Sequence, residues 1–208
     1  MSRLAPFYPI VDSADWVRRL VPVGVKLVQL RIKRRTPDEV RREVRAALAI
    51  CRPRRVQLVI NDHWRIALDE GAGFIHLGQE DLAGADLRAI RARHVKLGIS
   101  THDDAELDHA LGVSPDYVAL GPIYPTSLKA MPWAPQGLDR IGEWKRRIGR
   151  LPLVTIGGIT LERAAGCLAA GADCVAVVSD VTGHPTPLVR AASWITSTRT
   201  PPRGLPHE

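Results

Sequence analysis

Eight short apolar runs, each followed by a polar or glycine-bearing turn and then a helix-like segment, recur from one end of this chain to the other. The runs are Phe7 to Val11, Leu27 to Ile32, Val56 to Ile60, Phe74 to Leu77, Val95 to Ile99, Tyr117 to Leu120, Leu153 to Ile156 and Cys174 to Val178. Short apolar strands alternating with helices indicate a parallel sheet, because parallel neighbours need a long crossover and its helix covers the strands. Several helix starts are written locally. Ser13 stands before Ala14, Thr36-Pro37-Asp38-Glu39 sets a capping residue, a first-turn proline and a capping-box glutamate in order, and Thr160-Leu161-Glu162-Arg163 opens another. Eight such units in 208 residues predict a single α/β domain, a (β/α)8 TIM barrel. A doubly wound open sheet is the rival architecture, but Gly157-Gly158 lacks the spacing of a dinucleotide fingerprint. The barrel is expected over residues 1–197, with the proline-bearing stretch 198–208 as a disordered tail.

With 45% apolar residues the chain can bury a sizeable core. It contains no apolar run of membrane-spanning length and no basic-then-apolar N-terminus, so a cytoplasmic protein without a membrane partner is expected. The net charge of +7 comes largely from helix-like segments, such as Arg41, Arg42 and Arg45, or Lys145, Arg146, Arg147 and Arg150. These cations are spread over several helices and are not interleaved with aromatics for base stacking, so solvated helix faces are expected rather than a nucleic-acid partner. Self-association is left open. Cys51, Cys167 and Cys174 are odd in number and lack metal-ligand spacing, which fits free thiols packed as small hydrophobes.

Barrels of this kind carry their chemistry at the C-terminal ends of the strands. Here those ends hold Asp12, Lys33, Asn61-Asp62, Gly78-Gln79-Glu80-Asp81, Ser100-Thr101-His102, Gly121-Pro122, Gly157-Gly158 and Ser179. Gln29, Arg31 and Lys33 share parity in one strand and so point to one face, where two cations and an amide need an anionic partner. Asp62 alone reads as a helix cap and Asp81 alone as a turn residue. Beside that basic cluster, the two carboxylates suggest Mg2+ shared with substrate phosphates. Gly157-Gly158-Ile159-Thr160 ahead of a helix, with Ser179 after the last strand, offers backbone N–H groups to a phosphate. The long connection from Gly121 to Gly137 lacks helical or strand period and carries Lys129, a mobile cation suited to closing over an anion. His102 reads either as a base or as a loop histidine that only hydrogen-bonds, and His76 reads as a satisfied core histidine.

The segments Gln29-Leu30-Arg31-Ile32-Lys33, Ile60-Asn61-Asp62, His76-Leu77-Gly78-Gln79-Glu80-Asp81-Leu82, Leu97-Gly98-Ile99-Ser100-Thr101-His102, Gly121-Pro122-Ile123-Tyr124-Pro125-Thr126 with Lys129, and Ile156-Gly157-Gly158-Ile159 together resemble thiamine phosphate synthases. The resemblance runs in order from about Tyr8 to Val181. It implies a transferase that joins 4-amino-2-methylpyrimidine-5-methyl diphosphate to a thiazole phosphate, or its carboxylated form, with Mg2+ and release of pyrophosphate. By that resemblance Gln29, Arg31 and Lys33 bind the pyrimidine diphosphate, and Asn61 and Ser100 contact the pyrimidine. Asp62 and Asp81 hold the magnesium, Lys129 meets the diphosphate, Thr126 lies near the thiazole, and Gly158, Val178 and Ser179 form the thiazole-phosphate site. Catalysis is assigned to Arg31, Lys33 and Lys129 through charge on the leaving group. One position departs from the family pattern: Leu128 stands where a second threonine is usual. Two alternatives remain, a thiazole tautomerase-like isomerase using a histidine near His102, and a catalytically weakened phosphate-binding regulatory barrel.

Overall fold

The computed structural model describes residues 4–126 and 133–199. Its strands are β1 (Phe7–Val11), β2 (Leu27–Leu30), β3 (Gln57–Asn61), β4 (Phe74–Leu77), β5 (Lys96–Thr101), β6 (Tyr117–Leu120), β7 (Leu153–Thr155) and β8 (Cys174–Val177). They pair in sequence order, all parallel, and β8 returns to β1 through Phe7 opposite Val175, closing the expected barrel. Helices fill the crossovers. That of Pro37–Cys51 has the full capping box, with the Glu39 backbone N–H donating to the Thr36 hydroxyl and Thr36 N–H to the Glu39 carboxylate.

Strand alternation divides the core in two. Phe7, Val28, Leu30, Leu58, Ile60, Ile75, Leu77, Ile99, Val118 and Val175 face outward into the layer between sheet and helices. Tyr8, Ile10, Leu27, Val59, Phe74, Tyr117, Ala119, Val154, Cys174 and Ala176 fill the barrel itself. All three cysteines are free and buried. Helix arginines expected as solvated faces are in part ion-paired across helices: Arg41 meets Asp69 at 3.1 Å and Glu70 at 2.7 Å, and Arg140 meets Asp104 at 2.7 Å.

Several expected strand limits shift by one or two residues, and two of the boundary changes have a visible cause. The expected second strand ends at Leu30 rather than Ile32, because Arg31 N–H makes a final bond to the Val11 carbonyl at 2.7 Å and the chain then turns through Arg34 at φ +56°. The last helix, Pro187–Arg199, runs past the expected start of the tail. Thr198 is buried in it and donates its hydroxyl to the Trp194 carbonyl at 2.8 Å, while Trp194 stacks on Phe7 of β1 at 5.3 Å. The remainder of the expected tail, residues 200–208, lies outside the described residues.

Gly98 of β5 sits directly beside the Tyr117 ring, and a methyl group there would collide with the ring carbons. Gly98→Ala is therefore expected to destabilise by about 1–3 kcal/mol, the usual cost of overpacking a filled core. Urea unfolding measures it, and an unchanged midpoint would mean that the tyrosine has room to withdraw.

Candidate active site

A cavity of about 660 Å³ opens at the C-terminal mouth of the barrel. Its floor is the inward-facing upper layer of the strands: Ile10, Gln29, Asn61, His76, Ser100, Ala119 and Val154 all line it, with Arg31 on one rim. Gly157, Gly158, Val178 and Ser179 line the wall above β7 and β8, and Thr126 closes part of the edge. Gln29, Arg31, Asn61, Ser100, Thr126, Gly158, Val178 and Ser179 are thus gathered around one space.

Lys33, Asp62 and Asp81 stand apart from that lining as a second group. Since β2 has already ended, strand alternation no longer governs Lys33, and its ammonium pairs instead with the Asp62 carboxylate. Asp62 occupies the left-handed backbone region at φ +61°, a conformation aspartate tolerates better than most residues. Consecutive short bonds hold it there, His63 N–H to Asn61 O and Trp64 N–H to Asp62 O, each 2.7 Å. Burial pushes the Asp62 carboxyl up, but the Lys33 ammonium, helped by a hydrogen bond with Asp81 and by His76, outweighs this and leaves it below the ordinary carboxylate range. Asp81 behaves oppositely: burial and the neighbouring Asp62 charge raise it. Two acids with divergent proton affinities, one already compensated by a lysine, form a place where a further cation is favourable. No group of three or more His, Cys, Asp or Glu with metal-site geometry occurs among the described residues, so a cation here depends on oxygens from elsewhere.

At the other end the chain leaves β7 through Gly157 and Gly158, at φ +99° and +62°. A side chain at Gly158 would run into the backbone of Tyr124 and Pro125, so only glycine allows this close approach. Tyr124 N–H bonds to Gly157 O at 3.0 Å and Ile123 N–H to Ile156 O at 2.9 Å, pinning the start of the long connection to β7. The backbone N–H groups of Gly158 and Ser179 bond to no carbonyl among the described residues and sit on the cavity wall, which suits an anion. Arg163 adds a cation there, its guanidinium 2.6 Å from Gly158 O and 4.5 Å above the Tyr124 ring. Asp180 also lines the wall, but its charge is compensated by Arg190 at 2.8 Å and by the Trp194 indole N–H at 2.6 Å.

His102 faces the cavity and stacks on Trp133 at 3.9 Å, while its Nδ1 and its backbone N–H both meet the Glu106 carboxylate at 2.7 Å. His76 is buried and fully partnered, as expected, yet it also lines the cavity: Nδ1 lies 2.7 Å from the Tyr117 hydroxyl and Nε2 2.8 Å from the Ser100 hydroxyl. Burial, reinforced by Arg31 and opposed by Asp62, lowers His76 to about 4. Tyr8, Tyr117, Arg163 and Asp180 are site residues that motif reading misses. Strand parity finds the tyrosines, since Tyr8 shares its face with Ile10 and Tyr117 with Ala119. Lys129 and Leu128 lie outside the described residues.

The family model for thiamine monophosphate synthase matches residues 7–181. A thiamine-phosphate synthase of Rhizobium etli is 61% identical over 196 residues, which cover 94% of this chain and 96% of that protein. A thiamine-phosphate synthase of Escherichia coli strain K12 is 48% identical over 187 residues, covering 90% and 85% respectively. In three dimensions a thiamine phosphate pyrophosphorylase from Pyrococcus furiosus superposes with a TM-score of 0.82 at 24% identity, over 94% of this chain and 96% of that one. This last likeness is one of fold.

The depressed His76 has a consequence for stability. In the unfolded chain the ring titrates near 6.5, so between there and about 4 the unfolded state binds a proton that the folded state refuses. Lowering the pH through that window should cost up to about 3 kcal/mol of stability. His76→Gln should flatten this slope whatever it does at pH 7. Urea unfolding across the window checks it, and identical slopes in the two proteins would contradict the assignment.

Proposed function

The chain belongs to the thiamine monophosphate synthase family, and on that premise we propose that it joins 4-amino-2-methylpyrimidine-5-methyl diphosphate to a thiazole phosphate, releasing pyrophosphate. The observation that carries this reading for the site is a single cavity with two anion-receptive ends. One has the Arg31 guanidinium, and the other has the N–H groups of Gly158 and Ser179 with Arg163. Two phosphorylated heterocycles laid end to end need such an arrangement. Gln29, Asn61 and Ser100 hold the pyrimidine, and Gly158, Val178 and Ser179 hold the thiazole phosphate, with Thr126 at the thiazole edge.

Substitution at the pyrimidine methylene is dissociative in this proposal. The C–O bond breaks first and its electron pair leaves with pyrophosphate, while the 4-amino group feeds electron density into the methylene cation. The thiazole nitrogen then donates its lone pair to that carbon, forming the C–N bond with no protein nucleophile. Arg31 and Lys33 meet the charge that grows on the leaving group, and Lys129 is proposed as a third cation from the long connection. Ile10, Ala119, Val154, Ile156 and Ala176 present hydrocarbon to the cavity, which limits capture of the cation by water.

Asp62 and Asp81 fit a hard divalent ion, since two opposed carboxyls favour a shared cation and magnesium commonly combines one or two carboxylates with phosphate oxygens. When bound there, magnesium would neutralise charge on the diphosphate. We take the compartment to be cytoplasmic, which the free, buried cysteines support. No helix among the described residues is long and apolar enough to cross a membrane.

Incubating the protein with both substrates and Mg2+, then oxidising and reading thiamine phosphate fluorescence, tests the activity directly, and a folded protein that forms no product would refute it. Asp62→Asn keeps a residue that accepts the left-handed backbone but removes the charge. It should unfold within about 1 kcal/mol of the wild type, yet turn over roughly a hundredfold more slowly and need more magnesium. An unaltered magnesium requirement would exclude Asp62 as a ligand. Arg31→Ala should reduce kcat/KM by roughly ten- to a hundredfold, the value of a charged hydrogen bond, and Arg31→Lys should restore little if both guanidinium nitrogens are used. Wild-type kinetics in the lysine variant would show that a point charge suffices.

A further inference from the structure

Five polar side chains from five strands form one continuous hydrogen-bonded chain across the barrel. Gln29 Nε2 donates to the Tyr8 hydroxyl at 2.9 Å, and the Tyr8 and Tyr117 hydroxyls lie 3.1 Å apart. Tyr117 Oη meets His76 Nδ1 at 2.7 Å, and His76 Nε2 meets Ser100 Oγ at 2.8 Å. The rings along it are fixed by packing: Tyr117 stacks on His76 at 5.5 Å, Tyr8 stands edge-on to Tyr117 at 6.3 Å, and Gly98 leaves the space that Tyr117 fills. Tyr8 and Tyr117 are 1% and 0% exposed, so their hydroxyls depend chiefly on one another and on Gln29 and His76 for hydrogen bonding.

With Gln29 Nε2 as the donor to Tyr8, counting protons sets the direction of every other bond. Each tyrosine hydroxyl has one proton, and a neutral imidazole has one. Tyr8 already accepts from Gln29, so its proton goes to Tyr117; the Tyr117 proton then goes to His76 Nδ1. That nitrogen must be bare, which puts the imidazole proton on Nε2, pointing at Ser100 Oγ. Ser100 therefore accepts from the histidine and keeps its own proton for a ligand. At the far end the Gln29 carbonyl oxygen and its second amide N–H remain uncommitted by Tyr8, and it is the oxygen on which the proposal turns. A defect anywhere in between would set two protons or two lone pairs against each other in a dry interior, the costly case for buried polar groups.

We propose that this chain is a specificity device of fixed proton polarity, committing Gln29 to present an acceptor and Ser100 a donor, so that the site takes an aminopyrimidine and rejects its oxo counterpart. The substrate half of the proposal rests on the pyrimidine lying against Gln29 and Ser100, as set out above. The polarity itself does not. An exocyclic amine gives a proton to the glutamine oxygen, and a ring nitrogen accepts from the serine. An oxo group with a protonated ring nitrogen presents the reverse, and accommodating it means turning every bond of the chain together. Tyr8, Tyr117 and His76 are positioning residues in this scheme, acting through Gln29 and Ser100.

Two measurements test it. In the full ligand-free chain labelled with 15N-histidine, the His76 signals, identified by their loss in His76→Gln, should show a bare Nδ1 and a protonated Nε2 near pH 7. A protonated Nδ1 would overturn the proposal, whatever the substrate proves to be. In kinetics, the wild type should prefer the 4-amino over the 4-oxo pyrimidine diphosphate by roughly a hundredfold in kcat/KM, two mismatched hydrogen bonds' worth. Tyr117→Phe and Tyr8→Phe should each cut that preference about tenfold by raising KM for the amino substrate. KM for the thiazole phosphate should stay within about twofold. A folded Tyr117→Phe with undiminished preference would overturn it too. If neither pyrimidine is turned over, the proposed activity fails, and the histidine tautomer still decides the polarity.

Discussion

Closing eight parallel strands on themselves aims every second side chain at one axis, and polar groups placed there have only one another and whatever enters the mouth as partners. Lower in the barrel the inward positions include apolar side chains such as Leu27, Val59 and Phe74. One layer up they become Gln29, Asn61, His76 and Ser100. The cavity is therefore the continuation of the core rather than a recess cut into the surface. Its polar groups inherit the rigidity of the strands that carry them, which is what the proposed reaction through an unstable cation requires of its walls.

The charged part of the site is built differently. Arg31, Lys33, Asp62 and Asp81 all lie past strand ends, where turn geometry rather than sheet parity decides where a side chain goes. Asp62 is the clearest case, because its left-handed backbone turns the chain out of β3 and its carboxylate toward Lys33 in one step. In the proposed reaction the ordered floor and the charged rim divide the work: the floor would fix the identity and orientation of a heterocycle, and the rim would manage the charge of its leaving group.

Much of this is legible in the residues alone. Strand count, barrel closure and the gathering of Gln29, Arg31, Asn61, Ser100, Gly158 and Ser179 follow from apolar periodicity and from what stands after each strand. Lys33 is harder, since extending β2 through Ile32 gives it the parity of Arg31, whereas the strand stops once Arg31 has bonded to Val11. Tyr8 and Tyr117 escape notice because an aromatic residue inside an apolar run reads as core, and both are core by burial. Their hydroxyls join residues far apart in sequence, Tyr8 to Tyr117 and Tyr117 to His76, and such pairings are written only in the register of the closed sheet. Thr198 is misassigned for a related reason, as its neighbourhood is polar and proline-bearing while its place is set by Trp194 packing on Phe7.

Arg190 gives the last helix a part in the site that its distance in sequence conceals. It reaches from that helix to Asp180 on the cavity wall and to Glu162 on the helix that follows Gly158, at 2.8 Å each. Asp180 lines the end of the cavity proposed to receive a phosphate, and its charge would repel an anion there if left uncovered. The C-terminal helix thus delivers a counter-ion by its backbone: it packs on the outer face of β1 through Trp194 and compensates Asp180 on the cavity wall through Arg190. Fraying of that helix would register first as weakened anion affinity, while the eight-stranded wall still stood.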